Sequence, residues 1–481
     1  MKRVILMVSL SLFPRLLVAQ DLDVASLAGD NWYGAYLNGQ KVGYALNSLS
    51  IGDDGTVSLV EDASFRLTMS GVDQQMNVYV KRIYGKSGNL LRIEQRVEDA
   101  DGVKKFDAAV QDDTMELVTV IGDTSNKKTF PKPKESLRDS LKQAELIKQG
   151  AKTGDELTFS VFEPMYERDV EGLSRIEAIE EQILDGVPTK VFKVRSVMKD
   201  LGLDSVAFIT QKGITLQDQI GSIITMRLEP KEMAQDVTYK NDVIVSNAAP
   251  VDQPIADPRG RPSLQLRIYG PVAPDHLFND ERQKMIPKDG YVAFAGMRYD
   301  LDGFQAAKLP VTEPSVQEWL KPTVFVQSED PRLKAKAKEI AGEEKDTFAV
   351  STSLCEWVYA NVRTTYSARL SNALEVLEHP EGDCTEHSIL FVGLARAAGL
   401  PAREVAGLIY VADSKPAFYF HQWAKVWIGK WIDVDPTFNQ PLADATHIKL
   451  AEGDLFEQAK LIPAIGQLRV EVAEGTEGEK K

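Results

Sequence analysis

The chain has 481 residues, 43% of them hydrophobic and 26% charged, with a formal net charge of −15. That length holds several domains with real cores, and the composition is that of a globular protein. The acidic balance, with no basic block or stripe, excludes a nucleic-acid partner.

The N-terminal "MKRVILMVSLSLFPRLLVAQDLD" has Lys2 and Arg3, then the apolar run Val4 to Phe13, then Ala19. The run is too short to span a bilayer. The pattern predicts a signal peptide over 1–20 and an exported mature protein, periplasmic or extracellular, with no stable membrane span. No cysteine follows the run, so a lipid anchor is not expected.

Residues 21–245 read as an antiparallel β domain. "NWYGAYLNGQKVGYALNSLSI" places Asn38-Gly39 between two aromatic and apolar runs, a strong hairpin signal. Alternating runs follow, from "TVSLVEDASFRLTM" to "MELVTVIG". "KESLRDSLKQAELIKQG" predicts an amphipathic helix with Leu137, Leu141, Ala144 and Leu146 on one face, stopped by Gly150. Strands resume from "DELTFSVFEP" to "SIITMRLEP". The arrangement resembles the curved half-barrels of periplasmic lipoprotein carriers. Such a sheet either holds an apolar ligand or is closed by its own helix; the second is the favoured expectation.

The Pro- and Asp-rich residues 246–262 read as a linker, and 263–325 as a β-rich connecting segment. From residue 326 helices take over. Asp330-Pro331 is a good cap and first-turn pair. "STSLCEWVYANV" puts Leu354, Cys355, Val358 and Val362 on a helical stripe, so Cys355 reads as a core residue rather than half of a disulfide. The domain with the chemistry spans 326–465, and 466–481 reads as a tail.

The second of the two cysteines lies in "EGDCTEHSIL". Ile389, Val392, Leu394, Ala395 and Ala398 give the following segment a helical apolar face, and Gly399 with Pro401 ends it. Cys384 therefore begins a helix, where free backbone N–H groups and the helix dipole favour thiolate and can hold an oxyanion. A nucleophile needs a base, and the base needs an orienting group. His421 lies on the strand "FYFHQWAKVWI" and Asp435 ends the strand "WIDVDPTF". His421 could take the thiol proton and Asp435 fix its tautomer.

Parity makes that assignment testable. A two-residue Gly429-Lys430 turn would pair Ile428 with Trp431 and send Asp435 to the wrong face. An odd loop pairs Trp427 with Trp431 and puts Asp435 on the His421 face. Asp433 shares that face and is the local rival. His387 reads as a helix-face residue near the site, Trp423 as packing against the His421 ring, and His447 as an outer neighbour. Tyr366 is a candidate second oxyanion donor. "CTEH" lacks further metal-spaced partners, and no Asp-rich calcium loop is evident, so neither metal nor cofactor is expected.

"GDCTEHSILFVGLARAAGLPAREVAGLIY", "HQWAKVWIGKW" and "DPTF" together resemble the three blocks of the transglutaminase-like superfamily, over about 330–450. The resemblance implies an α+β, papain-like core, with Cys384 as nucleophile, His421 as base and Asp435 as orienting acid. It further implies acyl transfer to the cysteine from peptide or glutamine-type amides of protein or peptide substrates, resolved by hydrolysis or by cross-linking. A different class of reading makes the chain an envelope binding or assembly factor, its core used for peptide recognition and its β domain for a ligand or an envelope protein partner.

Overall fold

The computed structural model describes residues 24–69, 72–184, 186–221, 224–237, 243–366, 369–412 and 415–473. The signal-peptide expectation and the end of the tail, 474–481, lie outside the described residues. The chain divides into two compact units, 2–241 and 242–481. It is a mixed α+β protein with a large antiparallel sheet.

The N-terminal unit is built on one fourteen-stranded sheet. Eight strands, from Gly29–Leu37 to Thr124–Pro131, form one meander, and six more, from Glu156–Glu163 to Ile224–Leu228, form another. The two meanders join where Gly29–Leu37 pairs with Ile224–Leu228. Alternation selects the buried face: in Thr114–Ile121 every second residue, Met115, Leu117, Thr119 and Ile121, is buried. At the first turn Asn38 and Gly39 both take positive φ, 49° and 77°, and Leu37 pairs with Gln40. This is the two-residue geometry whose twist suits a hairpin.

The helix Leu137–Lys148 buries Leu137, Leu141, Ala144 and Ile147. Ile147 takes the place expected of Leu146, which packs partly buried against the same core. That core, with Ile176, Phe192, Val194, Ala207 and Ile209, is where the helix covers the second meander. An open cleft of about 530 Å³ lies beside it, lined by Phe192 and Ile179 but also by Lys148, Lys190 and Lys212. A lining of that polarity does not make an apolar ligand chamber.

In the C-terminal unit a five-stranded antiparallel sheet runs Ala249–Pro250, Ala417–Trp427, Ala402–Val411, Ile448–Glu452, with Trp431–Val434 also paired to Ala417–Trp427. Helices Pro331–Ala341, Thr347–Asn361, Ala373–Glu378 and Cys384–Ala397 belong to the same unit. Ser263–Tyr269, Gln283–Lys288, Tyr291–Met297 and Arg469–Val472 make a second sheet. Its Leu264, Leu266, Ile268 and Phe294 share one core with Leu408, Tyr410, Phe418 and Ile448 of the first. The segment 263–325 thus extends this unit, and Arg469–Val472 from the expected tail supplies one of its strands. The Pro-rich stretch 246–262 is anchored too: Ala249 pairs with Phe418, and the Ile255 N–H donates to the Tyr410 hydroxyl at 3.0 Å. Among the described residues no helix is long and apolar enough to cross a membrane.

Candidate active site

Cys384 is the first residue of the helix Cys384–Ala397. Asp383 caps that helix: its carboxylate accepts from Thr385 N at 2.9 Å, and Glu386 Oε2 accepts from Asp383 N at 2.9 Å. This capping box settles the end of the helix and leaves the Cys384 thiol at its positive pole. Gly382 precedes it with φ 156°, where a Cβ would run into the Glu386 side chain. One turn on, the Ser388 hydroxyl lies 2.7 Å from Cys384 O and 2.9 Å from Gln422 O, tying the helix to the His421 strand.

The His421 strand continues into the hairpin whose register was in question. Trp427 pairs with Trp431, Lys425 with Asp433 and Ala424 with Val434. The loop is the three residues Ile428 to Lys430, closed by Ile428 N donating to Lys430 O at 2.8 Å. This odd loop is the one that returns Asp435 to the His421 face. The His421 Nε2 stands 2.8 Å from Asp435 Oδ2. That leaves Nδ1 as the ring nitrogen open to a thiol, and Cys384 is close enough to act on the ring through both charge and hydrogen bonding. Cys384 is partly exposed, whereas His421 is 8% and Asp435 0% exposed.

Burial works against a charged His421, but the Asp435 carboxylate and then Cys384 outweigh it, and the ring's pKa is raised to about 9. Burial likewise pushes Asp435 up, yet His421 and His447 together hold it well below the usual carboxylate range. Its other oxygen accepts from Thr437 N at 2.8 Å and Phe438 N at 3.3 Å. Asp435 therefore caps the following turn and orients His421 at once.

Asp433, the rival, is engaged elsewhere. It accepts from Arg282 Nε at 3.1 Å, the Tyr299 hydroxyl at 2.7 Å and Trp423 Nε1 at 3.2 Å. Trp423 lies against His421, ring centroids 5.9 Å apart and nearly parallel. His387 is buried on the Cys384 helix; its Nδ1 meets Asp383 O at 2.8 Å, and burial lowers its pKa. Cys355 is buried in its helix, and its thiol approaches Asp435 O at 3.7 Å; burial pushes that thiol up. Both cysteines are free. Tyr366 is 45% exposed.

His447, expected as an outer neighbour, reaches Asp435 Oδ2 with its Nε2 at 2.9 Å. Two features were not anticipated. Phe438, 38% exposed, packs its ring 5.4 Å from that of His421, and the Arg259 guanidinium lies 4.7 Å from the Phe438 ring centroid. Arg282 holds both Asp433 and, at 2.6 Å, His447 O. The sequence carries a local trace of one neighbouring pair, Asp444 and His447, three residues apart in "DATH".

Among the described residues, His421, Asp435 and His447 place ligand-type atoms within 4.8 Å of one another. Asp435 Oδ2 stands 2.8 and 2.9 Å from the two ring nitrogens, which are hydrogen-bond spacings, and a metal would occupy the nitrogens that this oxygen already answers. We assign no metal there.

A cysteine at a helix N-terminus facing a His–Asp pair on adjacent strands is the arrangement of cysteine-dependent acyl-transfer chemistry. Residues 334–436 match the family model of the transglutaminase-like superfamily, so the C-terminal unit carries a transglutaminase-like domain. This supports a cysteine-dependent enzyme in general. No curated protein matches the chain significantly. Among solved structures, a candidate cysteine protease from Cytophaga hutchinsonii is similar at 18% identity, covering 43% of this chain and 83% of its own, with a TM-score of 0.32. A β-barrel-like protein of a domain family of unknown function from Brucella abortus is similar at 10% identity, covering 42% and 94%, with a TM-score of 0.33. A candidate protease from Parabacteroides distasonis is similar at 11% identity, covering 80% and 65%, with a TM-score of 0.20. These scores are too low to bear on function.

Proposed function

We propose that this protein is an exported cysteine-dependent acyl-transfer enzyme acting on peptide or glutamine-type amide bonds, with Cys384 as nucleophile, His421 as base and acid, and Asp435 as the group that orients His421. The observation that carries this is the 2.8 Å His421–Asp435 contact on strands facing a helix-start cysteine. The Cys384 thiol gives its proton to His421, and sulfur attacks the carbonyl carbon. Helix-end N–H groups favour the resulting oxyanion. The C–N bond breaks as the His421 imidazolium passes its proton to the departing nitrogen, which leaves a thioester. Water, deprotonated by His421, then attacks the thioester and returns the thiol; a substrate amine in place of water gives a cross-link. Hydrolysis is the outcome we favour.

The internal control is Cys355. Iodoacetamide near neutral pH is expected to label Cys384 far faster than Cys355, which is fully buried. Amine release from a peptide-amide library falls by ~10⁴-fold or more in Cys384→Ala. The rate of release declines on the alkaline side through about pH 9, as His421 loses the proton that the leaving group needs. Ordinary reactivity at Cys384, with full cellular function in Cys384→Ala, would instead favour a non-catalytic envelope binding factor.

A further inference from the structure

His447 is completely buried, and each of its ring nitrogens faces a carboxylate oxygen. Nε2 lies 2.9 Å from Asp435 Oδ2, the same oxygen that His421 Nε2 meets at 2.8 Å. Nδ1 lies 3.2 Å from Asp444 Oδ1. Asp444 is a well-supplied acceptor. Its Oδ1 takes Thr446 N at 2.7 Å and the Thr446 hydroxyl at 2.6 Å, and its Oδ2 takes Arg259 at 3.0 Å and Gln440 Nε2 at 2.8 Å. Asp435 is supplied by Thr437 N and Phe438 N on its far oxygen.

A neutral imidazole has one N–H and one lone pair. In this position it would aim the lone pair at an ionised carboxylate, with all three side chains buried. Only the imidazolium gives both acids a donor. We propose that His447 is held as an imidazolium between Asp435 and Asp444, and acts as a positioning residue that divides Asp435 between two histidines. This rests on the enzyme reading above. The shift in His447 runs the same way: burial lowers its pKa, but the bonds to Asp435 and then Asp444 more than reverse that.

The remaining charged neighbours fit this. Arg259 acts on His447 through Asp444, while Arg282 donates to its backbone carbonyl at 2.6 Å. The Trp423 ring stands 5.1 Å away, edge-on, and its Nε1 is turned to Asp433. The His421 ring centroid is 5.9 Å from that of His447. The consequence for chemistry has a definite sign. A fixed positive charge beside His421 disfavours a second one there, so His447 offsets part of the rise that Asp435 imposes. His421 then stays acidic enough to protonate a leaving nitrogen and basic enough to take the thiol proton.

Nitrogen-15 spectra of the full chain, labelled at its five histidines, read the charge directly. The expected result is that both His447 nitrogens are protonated from pH 6 to pH 9, with the signal assigned by its loss in His447→Gln. One unprotonated His447 nitrogen at pH 7 overturns the proposal, and if the variant fails to fold the signal is assigned in the wild type by its through-space contact with the Trp423 ring, 5.1 Å away. In a folded His447→Gln, the alkaline limb of Cys384-dependent amine release should move up by about one pH unit or more. KM should hold while kcat falls, because His447 is out of reach of substrate. An unmoved limb overturns the positioning role. A neutral His447 beside a hyper-reactive Cys384 defeats this inference alone. An imidazolium His447 beside a Cys384 of ordinary reactivity defeats the enzyme reading alone.

Discussion

Each unit buries an aspartate almost completely, and the two behave in opposite ways. In the C-terminal unit Asp435, 0% exposed, receives two imidazole and two backbone donors and is held well below the usual carboxylate range. In the N-terminal unit Asp218, 1% exposed, has a bond from Ser205 on one oxygen and no hydrogen-bond partner for Oδ1 among the described residues. Burial dominates there and lifts its pKa to about 7. Burial pushes both acids the same way, so the opposite outcomes come from what surrounds them. Several donors around a buried carboxylate turn its shift downward, and a single donor leaves the upward push of burial in charge.

The largest effect should come from changing the organised acid. Asp435→Asn keeps the shape, but it presents an amide where two imidazoles require an acceptor. The orientation and tautomer of His421 are lost together. We expect kcat for amide release to fall by about 10⁴-fold, with KM nearly unchanged. A variant within tenfold of wild type would erase the difference drawn between the two aspartates, because Asp435 would then be as passive as Asp218.

Asp218→Asn should act on stability alone and in the opposite direction. The folded pKa of about 7 exceeds the unfolded value of 3.8, so the folded state binds the proton more tightly. That advantage is fully present below the unfolded pKa and is lost as pH rises through about 7. Above that pH the buried carboxylate is a net cost. Asp218→Asn should therefore stabilise the N-terminal unit at pH 8 by up to about 4 kcal/mol, and by little at pH 4. Hydrogen exchange followed by mass spectrometry over 24–237 in the full chain measures this. Equal effects at both pH values would show that Asp218 is already ionised in the folded state.

The same contrast governs what could be read from sequence. Cys384, His421 and Asp435 were legible because each sits on a local signal: a capping Gly-Asp, an alternating strand, and a hairpin whose parity leaves one register able to join them. Asp433 was an equal rival on parity. Arg282 and Tyr299, more than a hundred residues upstream, join Trp423 in taking it out of contention. Arg259 and Arg282 have no periodicity to announce them, since they arise from contacts between distant segments, and the local Asp444–His447 spacing does not by itself say that His447 reaches Asp435. Arg469–Val472 was hidden for the same reason: its pairing with Ser263–Tyr269 joins strands about two hundred residues apart. In the N-terminal unit the individual strands were plain from alternation. The union of Gly29–Leu37 with Ile224–Leu228 was not, because neither strand encodes its distant partner.

The smallest effect tests whether local signals stay local. Gly39 has φ 77°, and a Cβ there would meet nothing within 4 Å, so alanine would fit sterically but strain the backbone. Gly39→Ala should cost about 1–2 kcal/mol, felt as faster hydrogen exchange across Gly29–Ile51. Gly429, in the hairpin that sets Asp435, has φ 106°, but a Cβ there would meet Phe304 at 3.4 Å and Ala307 N at 3.5 Å. Alanine at Gly429 thus combines the same kind of strain with packing contacts, in the loop that determines which face Asp435 occupies. Gly39→Ala should leave the rate of Cys384 alkylation unchanged, whereas Gly429→Ala should slow it. Equal alkylation rates in the two variants would show that the three-residue loop is not what holds Asp435 against His421.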